Sequence, residues 1–325
     1  MNKPPIDGIR VVVEVLQRFV QEIFAAVPIA DDAAELIAAK IIDTDLRGVV
    51  SHGVAQVERY VNDYLNAKTN TDPTIKVLRE GPTTAALSGD GGLGIVVANQ
   101  AMEMAIAKAK AYGVGVVTTT YHEHIGSAGK YVRMAMRQDL IGAGFSGRNA
   151  AHEYDPDACI RGSIQGSPPM AFGMPATQGQ PYFMLDMSTG MPWDEQCFKK
   201  MPEVYFRGLG ICHVANIMSG TLGGQMLEEF DRRTIQYAAA NQSGCFMAID
   251  IACFVPLEAF KKDMDHLLDA TGKMQPYPGY DKAYLPGGPE WQCEQEYTRD
   301  GIPVSATTME SLAGVAARLG VAVPW

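Results

Sequence analysis

The chain has 325 residues, 47% of them hydrophobic, and a formal net charge of −10 from 27 Lys and Arg against 37 Asp and Glu. That length buries a sizeable core and divides into two or three lobes, and an acidic balance without a Lys/Arg run argues against nucleic acid or an anionic membrane surface as partner. No apolar run is long enough to span a bilayer, Asp7 and Arg10 interrupt any basic-then-apolar leader, and the cysteines (159, 197, 212, 245, 253, 293) show no C-x-x-C spacing, so a cytoplasmic chain with neither disulfide framework nor zinc site is expected.

In chain order, residues 9 to 67 read as mainly helical. Ala34, Ile37, Ala38 and Ile41 recur at helical spacing from Asp31 to Ile42, with Asp31 or Asp32 as cap, and Val57, Tyr60, Val61 and Leu65 repeat the pattern from Val54 to Leu65. A strand at 83–88, a helix at 93–112, a strand at 114–120, a helix at 127–137 and a strand at 140–145 follow. Residues 146 to 206, rich in Gly, Pro and Met, hold a strand at 182–186. Helices are predicted at 210–222 and 231–240, a strand at 245–251, a helix at 256–268, a loop at 285–290 and a final helix at 309–319. The stretches alternate too little for a doubly wound sheet. Mixed α/β is the class, divided as residues 1–80, a helical region; 81–245, a central α/β unit; and 246–325, a segment that completes the first lobe.

Three stretches carry chemistry. Ser51-His52-Gly53, between the first two predicted helices and followed by Gln56, Arg59 and Tyr60, places a hydroxyl, an imidazole and a guanidinium around a glycine. Tyr121-His122-Glu123-His124, followed by Ile-Gly-Ser-Ala-Gly, lies between a strand and a helix, where catalytic groups are commonly displayed. His124 reads as a general acid/base or a cofactor contact, since two His at i, i+2 with no third ligand at a natural spacing make a poor metal site. Gly89-Asp90-Gly91-Gly92-Leu93-Gly94 matches G-x-G-x-x-G, with Glu123 as the acidic residue for ribose, but Asp90 would point a negative charge at a phosphate. A tight turn that lets the next helix pack closely is the competing reading.

Together these residues resemble the malate/L-lactate dehydrogenase family of the non-Rossmann type, which includes ureidoglycolate and sulfolactate dehydrogenases, diketogulonate reductase and cyclic-imine reductases. The likeness runs through Asp45-x-Arg47-Gly48-x-x-Ser51-His52-Gly53, the glycine turn with Ala101-Met102, His124-x-Gly126-x-Ala128-Gly129, Leu185 to Thr189, Arg207 to Gly210, Leu285-Pro286-Gly287 and Asp300-Gly301-Ile302. It implies a helical N-terminal region packed with a mixed-sheet cofactor-type unit, a homodimer, and an NADH or NADPH site away from the glycine turn. It further implies His52 and His124, with Ser51, as catalytic residues; Gln56, Arg59 and Arg47 as substrate contacts; and Asp186, Met187, Ser188, Arg207, Gly287, Gly288 and Arg148 as cofactor contacts.

The chain departs from the family where Gln56 replaces an Arg, Arg207 a Lys, Leu209 a Tyr and Pro168 an Asn. The bridge from Thr189 to Phe206 is also several dozen residues shorter than usual. Gln cannot hold a carboxylate by a bidentate ion pair, and Arg keeps the charge of Lys without its proton-donating capacity. The predicted function is NAD(P)H-dependent reduction of a C=O or C=N bond in a small or medium-sized substrate, with altered carboxylate recognition. The alternative is a repurposed member that has lost dinucleotide binding and uses His52 and His124 for isomerisation, elimination or cyclisation, its cofactor channel filled by Trp193, Phe206 or Arg148. A non-catalytic scaffold is the third reading.

Overall fold

The computed structural model describes residues 5, 7–149, 151–164, 166–230 and 235–325. Helix α1 (Val13–Ala25) turns Leu16, Phe19, Val20, Ile23 and Phe24 inward at intervals of three and four. Helix α2 (Asp31–Leu46) does the same with Ala34, Ile37, Ala38, Ile41 and Ile42, and α3 (Val57–Leu65) with Val57, Tyr60, Val61 and Tyr64. The cap of α2 is Ala30, which offers no side chain, so Asp31 and Asp32 are first-turn residues at the positive end of the helix and not caps. The helix also runs a turn beyond Ile42, where Thr44 Oγ1 donates to the Lys40 carbonyl at 2.9 Å and stays within helical geometry.

These helices share one core with strand β9 (Ile302–Val304) and helix α10 (Ala306–Leu319), and β9 pairs antiparallel with β1 (Ile9–Val11). Each fully buried Leu, Ile or Phe there contributes about 1.5–3 kcal/mol. The two ends of the chain are thereby closed on each other.

A second core lies on a seven-stranded mixed sheet of β2 (Lys76–Glu80), β3 (Thr84–Ser88), β4 (Val114–His122), β5 (Leu140–Gly147), β6 (Pro169–Met174), β7 (Phe183–Ser188) and β8 (Gln242–Asp250), in the order β2-β3-β4-β8-β5-β6-β7. Only β3 and β4 pair in parallel, joined by α4 (Gly94–Tyr112), and the other neighbours are antiparallel. Helix α5 (Gly129–Met136) leads from β4 into β5, and α8 (Leu257–Gly272) follows β8. No helix among the described residues is long and apolar enough to cross a membrane.

Several expectations need correcting. The helix expected at 231–240 begins outside the described residues, and 235–240 form turns whose amides bond elsewhere, Ala239 N to the Lys68 carbonyl at 3.0 Å. The Gly/Pro/Met-rich stretch contains β6 and two helices, α6 (Glu195–Lys200) and α7 (Pro202–Asn216). Helix α7 starts well before residue 210 because Gly208 is buried against Met191, a tertiary fit that offsets its poor propensity. The loop expected at 285–290 stops at Gly287, whose φ of +95° turns the chain into α9 (Gly288–Asp300) with Pro289 in the first turn. The final helix starts at Ala306, where Ser305 Oγ accepts from Thr308 N at 3.2 Å.

The glycine turn 89–94 is a packing device. A Cβ on Gly94 would collide with the Glu123 carbonyl, and one on Gly89 would stand 2.8 Å from the His122 Cβ. The turn presses the start of α4 onto the segment that carries the second histidine motif, and none of its residues lines the cleft described next.

Candidate active site

A cleft of about 750 Å³ opens between the helical core and the far half of the sheet. One wall is the junction after α2, where the chain makes two short 3-10 turns, Val50–His52 and Val54–Gln56, before α3. Gly53 is required between them, because any Cβ there would run into the Asp45 carboxylate, which accepts from Val54 N at 2.7 Å. This arrangement turns His52 to the cleft, with its Nδ1 2.8 Å from Ser51 Oγ.

The opposite wall comes from β4. Thr119 pairs with Gly244 but His122 with Gln242, so β4 carries one extra residue, and Tyr121 takes φ +52°. That bulge ends regular pairing and sends the chain off the sheet, which separates the two histidines of the motif. His122 is fully buried between Thr119 Oγ1 (2.8 Å) and the Glu123 carbonyl (2.7 Å), and burial lowers it to about 4. His124 reaches the cleft, with its Nδ1 2.7 Å from the hydroxyl of buried Tyr60.

The rings of His52 and His124 lie 5.4 Å apart, centroid to centroid. In each, Nδ1 is engaged and no protein group among the described residues takes Nε2. Burial, followed by the nearby cations Lys130 and Arg59 for His52 and Arg59, His52 and Lys130 for His124, lowers both from the usual imidazole value. Both rings are thereby biased toward the neutral form.

The third wall carries the charge. Arg47 is 4% exposed and lines the cleft; its Nη1 donates to Tyr182 Oη (3.1 Å) and to Met184 Sδ (3.2 Å), and its Cζ lies 5.5 Å from the centroid of the Tyr182 ring. Its buried Nε and Nη2 have no partner among the described residues. Those two N–H groups form one edge of the guanidinium, the edge that receives a carboxylate through two parallel bonds. Asp186, two residues beyond Met184 on β7, accepts from Gly129 N at the start of α5 at 3.1 Å. Burial raises it to about 6 against the pull of Arg47, that N–H and Lys130.

The structure brings Ser51, His52, His124, Arg47, Arg148, Asp186, Met187 and Ser188 to one cleft. It does not bring Gln56, Arg59, Arg207, Gly287 or Gly288 to its lining. Gln56 Nε2 donates to the Ser51 carbonyl at 2.8 Å, and Arg59 is held by Glu123 (3.3 Å) and Asp63 (3.7 Å), so both brace the junction. Glu123, fully buried with Thr69 Oγ1 donating to it at 2.8 Å, is a structural partner for Arg59, with no access to a ribose. Arg207 is exposed on α7, whereas Gly287 shapes the turn that places Glu290 in the lining.

Sequence reasoning missed Tyr60 as the partner of His124, Glu290, and Lys130, whose Nζ is buried without a partner beside Gly126. Tyr60 lies on the inward face of α3, with Val57, Val61 and Tyr64, so its apolar spacing marks it as core and hides its hydroxyl's role; nothing in the sequence marks Lys130. Trp193 and Phe206 do not fill the cleft: Trp193 stacks on Phe198 and Tyr205, and Phe206 is 60% exposed.

The malate/L-lactate dehydrogenase family model matches residues 11–192 and 199–313. The chain belongs to the malate/L-lactate dehydrogenase family. Membership makes it an oxidoreductase by family and accounts for a sheet that is not doubly wound. The break in the match, residues 193–198, falls inside the bridge between Ser188 and Arg207. A malate dehydrogenase of Pyrococcus horikoshii is 29% identical over 96% of both chains. A solved structure of malate dehydrogenase from that organism superposes with a TM-score of 0.84 at 28% identity, covering 99% of each chain. An L-sulfolactate dehydrogenase of Methanocaldococcus jannaschii is 29% identical over 98% of this chain and 97% of its own. A ureidoglycolate dehydrogenase (NAD(+)) of Escherichia coli is 24% identical over 90% and 91%.

Proposed function

We propose that this family member is an NAD(P)H-linked oxidoreductase that interconverts a 2-hydroxy acid with its 2-oxo acid, or an amine with the corresponding C=N acid. The observation that carries the reading is Arg47, which lines the same cleft as His52 and His124 and whose buried Nε and Nη2 have no partner among the described residues. Two buried charged donors left without a partner cost about 1–3 kcal/mol each or more, and a substrate carboxylate removes that cost. With Gln56 in place of the family's Arg and turned to the Ser51 carbonyl, Arg47 is the guanidinium that remains for this role.

The cleft fits a nicotinamide cofactor. Ser167, Ser188, Asn216, Asn241 and Gln242 give it neutral polar lining beside Arg148, and it adjoins a second pocket of about 530 Å³ through Gly166 and Ser167. Asp186 to Ser188 and Arg148 are the residues we assign to hold the cofactor, which when bound supplies or accepts a hydride. In reduction, a hydride added to the carbonyl carbon leaves an alkoxide, and the proton it takes comes from a ring that has first taken up a second proton, the imidazolium returning to neutral imidazole. Tyr60 and Ser51 fix the two rings at Nδ1, which leaves Nε2 as the nitrogen that moves the proton. In oxidation the same nitrogen receives the hydroxyl proton. Arg47 holds the acid so that the reacting carbon stays over the rings.

A homodimer is the assembly we infer, supported by an exposed apolar row on α7 and the turn after it, Phe206, Ile211, Val214 and Ile217. The non-redox alternative is not supported: of the three residues it expected to fill the channel, Trp193 and Phe206 are absent from the cleft lining, and Arg148 is one residue of its wall. The test is calorimetric titration of the purified chain with NADH and NADPH, then turnover of a panel of 2-oxo acids and cyclic imines. Binding of a nicotinamide nucleotide, with Arg47→Met lowering kcat/KM for the acids by roughly 10²-fold or more through KM, is the expected result. No nucleotide binding to folded protein, or an Arg47→Met variant with unchanged KM, overturns the proposal.

A further inference from the structure

Besides Arg47, a second cleft-lining residue has a polar atom without a partner among the described residues: Glu290, through its buried Oε2. Its position is built. Gly287, in the left-handed region at φ +95°, brings the start of α9 so close to β7 that a Cβ on it would lie 2.7 Å from Met184 N. Glu290 follows in the first turn, where a carboxylate is favoured by the helix N-terminus. It is near enough to Asp186 to act on its charge, so the wall beside Arg47 is acidic. Arg47 itself, 4% exposed, makes no ion pair among the described residues, though its charge acts on Asp186. Arg59 is held by Glu123 and Asp63, and Arg148 lies 3.7 Å from Glu153.

We propose that Glu290 sets the substrate class: the acid seated on Arg47 carries, on its far group, an N–H or O–H donor and not a second anion. The proposal rests on the reading of the cleft as the site of a hydroxy- or oxo-acid oxidoreductase and names its substrate class. A ligand N–H or O–H donates to Oε2 and removes the cost of the empty acceptor. A second carboxylate or sulfonate at that place meets the negative charge of Glu290 in a wall that also carries Asp186, and like charges forced together in a partly desolvated cleft are rejected strongly. Uncharged donors (amide, hydroxyl) and cationic ones (ammonium) share this chemistry.

The experiment compares 2-oxo acids of matched length, one ending in an amide, one in an ammonium and one in a carboxylate, with wild type and Glu290→Gln. Steady-state kcat/KM is measured for each, together with calorimetric binding of the three 2-hydroxy acids and of NADH. The expected result is at least a 10-fold preference of the wild type for amide or ammonium over carboxylate. Glu290→Gln, close in shape and uncharged, brings that ratio within about threefold of one. Whichever of amide and ammonium wild type prefers names the donor.

A wild type that prefers the dicarboxylate, or a ratio untouched by Glu290→Gln, overturns the assignment while leaving the oxidoreductase reading in place. If Glu290→Gln weakens NADH and leaves the ratio alone, the donor is the cofactor's carboxamide and the substrate assignment falls. If no acid is turned over or bound by wild type, both fall. Thermal unfolding of the variant shows whether a lost ratio is merely lost fold, and Glu290→Asp, which keeps the charge but retracts it, is then expected to keep the rejection of the dicarboxylate.

Discussion

Lys130→Met is expected to stabilise this protein, and the gain is expected to depend on pH in a defined way. Lys130 is 2% exposed, its Nζ has no hydrogen-bond partner, and burial lowers it from 10.5 to about 7 against the opposing pull of Asp43, Asp186 and Asp45. A folded-state value below the unfolded one means that the unfolded chain binds the proton more tightly, so the group destabilises the fold at and below pH 7. The cost fades as pH rises toward 10.5. A difference of about 3.5 units corresponds to roughly 5 kcal/mol at 1.36 kcal/mol per unit, of which about 2–4 kcal/mol is a reasonable net gain after relaxation around a methionine. At roughly 2 °C per kcal/mol for a chain of this size, Lys130→Met raises Tm by about 4–8 °C at pH 7. At pH 10 only about half a unit remains, so the gain shrinks to about 1 °C. Differential scanning calorimetry of both proteins at pH 7, 8.5 and 10 measures it. An equal or lower Tm for the variant at pH 7, or a gain that does not shrink with pH, refutes the reasoning.

Removing Lys130 also removes a cation that lowers His52 and His124, so the acid limb of the pH–rate profile is expected to move to higher pH in Lys130→Met, read from kcat/KM between pH 4.5 and 8. His52→Ala and His124→Ala are each expected to lower kcat by roughly 10² to 10⁴ if that ring moves the proton, and full activity in either removes that ring from the mechanism. Tyr60→Phe leaves the His124 ring in place but frees its Nδ1; kcat is expected to fall by about 10-fold with KM for the acid little changed, and steady-state kinetics decides. Gly94→Ala pushes a Cβ into the Glu123 carbonyl, and a backbone clash of that kind is expected to cost more than about 2 kcal/mol, visible as a lower urea midpoint at unchanged m-value.

Much of the local structure was legible because it depends on near neighbours. The 3–4 spacing of Ala34, Ile37, Ala38 and Ile41 describes a helix whatever it packs against, and strand β3 was placed within one residue. The Ser51-His52-Gly53 junction could be read from its glycine and the apolar patterns that flank it. By contrast, α7 contains two glycines and α9 opens in a Gly-Pro stretch, and both are helices because long-range contacts offset poor propensity. The 231–240 segment had helical composition, yet residues 235–240 form turns, with Ala239 bonded to Lys68.

The same division runs through the site. Sequence by itself determined the histidines and Arg47 as candidates, the mixed α/β class, and a glycine turn suited to packing, since these follow from residue chemistry and short spacing. Only the tertiary structure decided that His122 is a core residue and His124 a cleft residue, because the bulge at the end of β4 is set by pairing with a strand more than a hundred residues away. It also decided that Arg47, and not Arg59, has guanidinium N–H groups without a partner among the described residues, and that Glu290 and Lys130 matter at all. Whether a charged group is paired, buried or exposed depends on what the rest of the chain places around it, which no local pattern records.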